Sequence, residues 1–494
     1  MNRLRSIAVA FLLVVGIVVA SRVVTTGIRL IRAPIETTGQ EAAQPIIASA
    51  VSSGEPLYRD WRQPPHTLAI YGPLTYAVPA SIARLRAATP WETWIIGRTV
   101  SVIAGVFALG MCVVLMRREG VRPSLIALGV LALIPVLSIW SVAFTFRADM
   151  GMIACGLAGL AVAGDWHGRW KWWSVPLFIA AIAYKQHGVA APAAMFLFLI
   201  LQRRRPEAAR FAIVMAMAGI AYVASMQLIT HGWFLSNAFG AASAAFSFEN
   251  VTENLRRFFL AFPFIALPGL WLIARRMRHG QFDPVSLFFV VSFVIAVVLS
   301  GRTGSDVNYF IEGFIALGIL SIVLAEEHLR AVSRNKPSAP ALVAAAFVAL
   351  CYIPMDRYPT APALLLGANA YDDPAGRYRS ALAATNGAKV FSAELSAAVL
   401  ADSPTFYSDG FIIDEMIASG RMSAESIVAE FRAQGYSYAL VPDRVPEWQH
   451  VSVVPRPLLV ELVARADRQS AVKVAELAGG RTLYLVPLSR RLTE

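Results

Sequence analysis

The strongest constraint in this sequence is the recurrence of long apolar runs, each bounded by basic residues. An α-helix needs about 20 mostly apolar residues to cross the roughly 30 Å hydrocarbon core of a bilayer. Candidate runs cover 7–25, 97–116, 124–145, 149–164, 171–184, 188–201, 211–230, 258–274, 285–300, 309–325 and 339–354. Of the 494 residues only 15% are charged and 57% are hydrophobic, with a mean hydropathy of +0.57. A soluble domain carries about 25% charged residues. The chain is therefore expected to be a polytopic all-α membrane protein of about eleven spans. "MNRLR" ahead of the first run resembles a signal-peptide start, but no clean small-residue cleavage site follows, so 7–25 reads as a retained signal-anchor helix.

The basic clusters set the topology. They fall at Arg3/Arg5, Arg117/Arg118/Arg122, Arg169/Lys171, Arg203/Arg204/Arg205/Arg210, Arg275/Arg276/Arg278 and Arg330/Arg334/Lys336. Lys and Arg concentrate on the cytoplasmic side, so two crossings should separate each cluster from the next. Arg22, Arg29 and Arg32, beside the first helix, run against this rule. Residues 172–201 are the instructive case. They form one apolar stretch interrupted only in the middle, by "YKQHGV", Tyr184–Val189. A lysine at the bilayer centre costs roughly 2.5–3.5 kcal/mol. Basic clusters at both ends require a hairpin, which puts Lys185, Gln186 and His187 at its outer tip. The same parity places the first loop (about 26–96), "FTFRADMG" (144–151) and "SGRTGSDVNY" (300–309) on that outer face. The proline-containing segment 68–83 reads as a helix along or dipping into the outer leaflet.

The character changes after about residue 355, which divides a transmembrane module, 1–354, from a small α/β extramembrane domain, 355–494. Its β-like runs are "AKVFS", "PTFYS", "YSYALVP" and "RTLYLVP"; its helical runs are "SAAVLAD" and "SAESIVAEFRAQG". Eleven spans after a cytoplasmic N-terminus make this domain periplasmic or extracellular. The net charge of +12 belongs to cytoplasmic anchoring, so no nucleic-acid partner is expected. Cys112, Cys155 and Cys351 lie singly in apolar runs, which leaves no metal or disulfide pattern. No Asp-x-Asp stands in a suitable context; no cofactor is expected, with a divalent metal left open.

In the first outer loop, Glu41 and Gln44 open a helical pattern that suits the helix dipole. Ile46, Ile47, Ala50 and Val51 form its apolar face and Gly54 ends it. The loop offers "GQEAAQ", "GEPLYRD" and "YGPLTY"; later outer segments offer "FRADM", "KQHG" and "NYFIE". In that order on one face, these segments resemble the GT-C fold glycosyltransferases that use polyprenyl-phosphate sugars. That superfamily holds the protein O-mannosyltransferases and lipid A aminoarabinose transferases, and the likeness is to its bacterial branch. The resemblance covers 1–354. It implies a multi-pass protein of the bacterial inner membrane. Such an enzyme moves a sugar from a polyprenyl-phosphate donor to an envelope acceptor (lipid, glycan or protein) on the outer face. The family's acidic pair is reduced here to Gln40-Glu41, with Glu36 a substitute for the missing partner. The matching motifs add Arg147 and Asp149, Lys185 and Gln186, Tyr71, and Asn308, Tyr309 and Glu312.

The chemistry asks for a carboxylate to take a proton from the acceptor and cations to stabilise the leaving phosphate. Glu41 suits the first role, with Glu36 and Asp149 as further candidates. Lys185, Arg147 and Arg302 suit the second. Structural roles stay open beside these. Arg147–Asp149 as a helix-end ion pair, Lys185 snorkelling to the interface, His187 as a polar tip residue, Asn308 and Glu312 as interhelical glue and Asp306 as a helix cap are the alternatives. The rival functions are a transporter or lipid-linked-saccharide flippase, which should show repeated halves, and a non-catalytic envelope scaffold.

Overall fold

A computed structural model describes residues 14–332 and 374–489, apart from positions 15, 19, 22, 26, 35, 37–40, 138, 165–167, 169–170, 241–244, 262, 443–446, 449–450, 453 and 478–480. The membrane module is a helical assembly. The described part of α1 runs from 14 to 31, past the expected end at 25. In the first outer loop, α2 is Ala43–Ser52 and α3 is Pro73–Leu85. Gly54, with φ +99°, ends the α2 segment in the left-handed region, as its position after the apolar stripe leads one to expect. Segment 68–83 packs against protein: α3 lies on α2, α4 and α7.

Helix α4, Pro90–Arg118, begins seven residues before the expected 97 because a capping box starts it. Thr89 accepts from Glu92 N and Glu92 answers to Thr89 N, with Pro90 at the first helical position. Its 29 residues reach about 43 Å at 1.5 Å each, enough to cross a bilayer. Next come α5 (Pro123–Leu137), α6 (Asp149–Ala163), α7 (Ser174–Tyr184), α8 (Ala190–Leu201), α9 (Arg205–Ile229) and the short α10 (Trp233–Leu235). Then follow α11 (Phe248–Ala261), α12 (Pro263–Arg278), α13 (Pro284–Ser300) and α14 (Ile311–Val332). By length and composition, three described stretches are long and apolar enough to cross a membrane: Pro90–Arg118, Arg205–Ile229 and Val307–Ala331. Shorter apolar helices pack among them, α6 against α4, α7 and α8, and α13 against α8 and α14. The expected span 258–274 is divided. Amphipathic α11, carrying Glu249, Glu253, Arg256 and Arg257, turns through 98° into α12. The expected span 339–354 lies outside the described residues.

The hairpin at 172–201 is present. Its arms, α7 and α8, have 11 and 12 residues and so reach only about 16–18 Å each. They cannot carry their tip across a full hydrocarbon core, and the tip is buried in protein instead.

After residue 374 a four-stranded sheet has the order β1-β2-β6-β5. Strand β1 (Val390–Ser392) runs parallel to β2 (Tyr438–Pro442). Strands β5 (Val472–Leu477) and β6 (Arg481–Pro487) complete it antiparallel, with Ala439 opposite Val486. A hairpin of β3 (Glu447–Trp448) and β4 (Val451–Ser452) stands apart. "PTFYS" is not a strand of this sheet. It pairs instead with the first outer loop: His66 N donates to Phe406 O at 3.0 Å and Ser408 N to His66 O at 3.1 Å. Trp94, Phe146, Phe391, Tyr407 and Phe431 share one core, so this domain sits on the face that carries the first loop and the hairpin tip.

Candidate active site at the hairpin tip

Sequence distance hides the central contact. Asp149 opens α6, and Lys185 sits where α7 breaks into a one-turn 3-10 helix, Gln186–Val189. Lys185 is extended there, φ −150° and ψ 136°, and its Nζ donates to Asp149 Oδ1 at 2.7 Å. Arg147 Nε reaches Asp149 Oδ2 at 3.4 Å and Asn308 Nδ2 reaches Oδ1 at 3.3 Å. Two cations thus share one carboxylate. Asp149 and Lys185 are buried, whereas Arg147 keeps 20% of its side chain exposed.

Aromatic rings wall the cluster. Lys185 Nζ lies 5.5 Å from the Tyr71 ring centre and 4.9 Å from that of Tyr309. Such contacts favour a cation where water is scarce. The Tyr71 hydroxyl accepts from Arg147 at 3.4 Å, and the His187 ring stands 5.3 Å from Tyr309. The "YGPLTY" segment reaches the tip because Gly72 has no side chain: a Cβ there would lie 2.2 Å from Ala183 O. Gly72 N and Thr75 Oγ1 both donate to Tyr184 O, at 3.1 and 2.8 Å. Gln186 pins the tip from the other side, its Nε2 donating to Ile70 O at 2.7 Å and Ala238 O at 3.0 Å.

Glu41 stands one layer behind. Arg98 Nε and Nη2 grip its two oxygens at 2.8 and 2.9 Å, Trp94 Nε1 donates at 2.9 Å and Phe146 N at 2.8 Å. Glu41 and Arg98 are both fully buried. Burial pushes the Glu41 carboxyl up. The Arg98 charge and the hydrogen bonds from Arg98, Trp94 and Phe146 outweigh that and hold it below the usual carboxylate range. Arg98 spends Nη1 on Leu30 O and Ala33 O, at 2.8 and 2.7 Å. The clamp therefore ties α1, α2 and α4 to the residue next to Arg147.

The remaining expected residues stand elsewhere. Glu36 accepts from Ala42 N at the start of α2. Arg302 is part-exposed after α13, where Ser247 N donates to Gly301 O at 2.7 Å and Thr303 N to Ala245 O at 2.8 Å; its guanidinium has no partner among the described residues. Asp306 does cap, accepting from Val307 N at 2.7 Å. Glu312 is buried one turn beyond Asn308. Arg98 and Trp94 were missed in the sequence. A lone arginine inside an apolar run was the signal for Arg98, since such a charge needs a buried partner. A crevice lined by Thr75, Pro79, Ser101, Phe146, Arg147 and Tyr184 lies beside the cluster. A larger cavity of about 780 Å³ lies in the C-terminal domain beside Arg377, Ser380 and Lys473, away from these buried charges. Among the described residues no three His, Cys, Asp or Glu side chains lie grouped for a metal ion.

Neither a protein-family model nor a curated protein matches this sequence. Solved structures do. ArnT from Cupriavidus metallidurans in the apo state aligns over 96% of this chain and 97% of its own, at 15% identity and a TM-score of 0.59. The same protein bound to undecaprenyl phosphate gives 16% identity and a TM-score of 0.60 over the same shares. The fold is GT-C. A second GT-C structure is the Archaeoglobus fulgidus oligosaccharyltransferase in complex with Zn and sulfate. It aligns over 82% of this chain and 64% of its own, with 12% identity and a TM-score of 0.50. The GT-C likeness to ArnT takes in the C-terminal domain as well as the helices. With its apolar helices, the chain is a multi-pass membrane protein of this fold.

Proposed function

We propose that this protein is a membrane glycosyltransferase. It moves a sugar from a polyprenyl phosphate to a lipid, glycan or protein of the envelope, on the outer face of the bacterial inner membrane. The observation that carries this reading is the convergence of Arg147 and Lys185 on the single carboxylate of Asp149. The exposed edge of Arg147 gives an anion a way in. A phosphate competes with Asp149 for both cations: Arg147 offers a planar fork and Lys185 a point charge. ArnT, of the same fold, has been solved bound to undecaprenyl phosphate.

The reaction then uses the group that the phosphate releases. Asp149, freed from Lys185 and Arg147, takes the proton of the acceptor hydroxyl or amine. The acceptor oxygen or nitrogen bonds to the anomeric carbon and the bond from that carbon to the phosphate oxygen breaks. The polyprenyl phosphate leaves with the electron pair, its charge held by the two cations. Glu41 takes a positioning role in this scheme: both its oxygens are occupied, and it fixes the turn that presents Arg147. Tyr71 and Tyr309 wall Lys185, Asn308 orients Asp149 and Gln186 anchors the tip. The test is lipid and glycan profiling of a deletion strain. One sugar modification should vanish, return with the wild-type gene and stay absent with Asp149→Asn. A profile identical to the parent strain contradicts the assignment.

A further inference from the structure

Among the described residues, none supplies a hydrogen-bond partner for the buried Glu312 carboxyl beside this site. It opens α14, is 3% exposed, and makes no hydrogen bond with any described residue; its Oε1 is both buried and unpaired. Buried polar atoms are almost always paired, because burial without a hydrogen bond is costly. A carboxylate acting as glue between helices would show its partner.

The surroundings indicate what completes it. Asn308, one turn earlier on the same helical face, donates to Asp149 at 3.3 Å. Tyr309 lies against Lys185 at 4.9 Å, and Glu312 itself feels the charges of Lys185 and Asp149. The start of α14 therefore fronts the place where the donor phosphate is proposed to bind. In that reading Arg147 and Lys185 already hold the phosphate, which leaves Glu312 for the group beside it. In a polyprenyl-phosphate sugar, the group one bond away from that phosphate is the sugar ring.

We infer that Glu312 reads the donor sugar, accepting a hydrogen bond from a ring hydroxyl or amino group; this rests on the donor reading above. The inference makes the donor a sugar with a free hydrogen-bond donor near its anomeric carbon. It makes Glu312 a specificity-determining residue. A site built to pair with one substrate hydroxyl rejects the analogue that lacks it, since its own polar group is then left unpaired.

The test is equilibrium binding to the full-length protein in nanodiscs. The probes are undecaprenyl phosphate and a panel of undecaprenyl-phosphate-linked hexoses, pentoses and amino-pentoses, with deoxy analogues of the tightest binder. Glu312→Ala should weaken the sugar-bearing lipid roughly 10- to 100-fold and leave undecaprenyl phosphate within about twofold. In the wild type one deoxy analogue should lose a similar factor, and in Glu312→Ala that same deletion should cost nothing more. Equal weakening of both lipids by Glu312→Ala would make the residue structural and overturn the inference. So would unchanged binding of every sugar-bearing lipid. Wild-type protein that binds no undecaprenyl phosphate would overturn the donor reading itself, and this inference with it.

Discussion

Two buried carboxylates a few residues apart in space show two different uses of an ion pair. Glu41 is closed: Arg98 holds both oxygens, Trp94 and Phe146 N fill what remains, and nothing is exposed. Asp149 is contested: Lys185 and Arg147 share it, one contact is as long as 3.4 Å, and Arg147 stays partly exposed. A fully satisfied buried pair specifies structure, and breaking it strands a charge. A pair with surplus cation can exchange its anion for another. The difference teaches that a buried carboxylate in a first outer loop is not thereby a base; the partners on its oxygens decide.

Substitutions sharpen this contrast, and the largest effect belongs to the contested pair. Asp149→Asn should lower turnover roughly 10²–10⁴-fold while tightening undecaprenyl phosphate binding, because the competing anion is gone; weaker binding would break the exchange scheme. Lys185→Ala should lower turnover roughly 10²–10³-fold, and Lys185→Arg should keep part of it, as charge survives with altered geometry. Radiolabelled sugar transfer in membranes checks both.

The closed pair should answer in stability. Glu41→Gln strands the Arg98 guanidinium and should cost about 3–5 kcal/mol, read as a lowered melting temperature in detergent, with turnover per folded molecule largely kept. A stable Glu41→Gln protein with abolished turnover would return the base role to Glu41.

The smallest effect lies at the junction with the C-terminal domain. Burial pushes the Asp409 carboxyl up to about 7, against hydrogen bonds from Ile412 N and Phe411 N. An acid raised from 3.8 on folding holds its proton longer in the folded state, so stability should fall as pH rises from about 4 to 7 and then level off. Asp409→Asn, which still caps the helix Gly410–Ala418, should flatten that decline in a melting series across pH. An unchanged slope would remove Asp409 from the account.

Much of this was legible in the sequence for physical reasons. Basic flanks at Lys171 and Arg203 forced a hairpin, and Gly54 marked the end of α2. Strands β1, β2 and β6 fall within three of the alternating runs. The start of α4 was written in Thr89-Pro90 with Glu92, although the apolar pattern alone points to 97. Pairings across the fold were not legible. Lys185 and Asp149 stand 36 positions apart, and Glu41 and Arg98 stand 57 apart. No periodicity links such residues. "PTFYS" has the composition of a strand, yet its partner is residues 66–68 of another part of the chain rather than the sheet. The unpaired state of Glu312 is likewise a property of its packed surroundings and not of its local sequence.

The central claim is that Arg147 and Lys185 form an anion site that Asp149 occupies until a lipid phosphate arrives. The most direct measurement is the affinity of undecaprenyl phosphate for wild-type, Lys185→Ala and Glu41→Gln proteins in nanodiscs. The account predicts at least roughly tenfold weaker binding for Lys185→Ala, for loss of one charge-assisted contact, and near-wild-type binding by folded Glu41→Gln. Wild-type affinity in Lys185→Ala would contradict it.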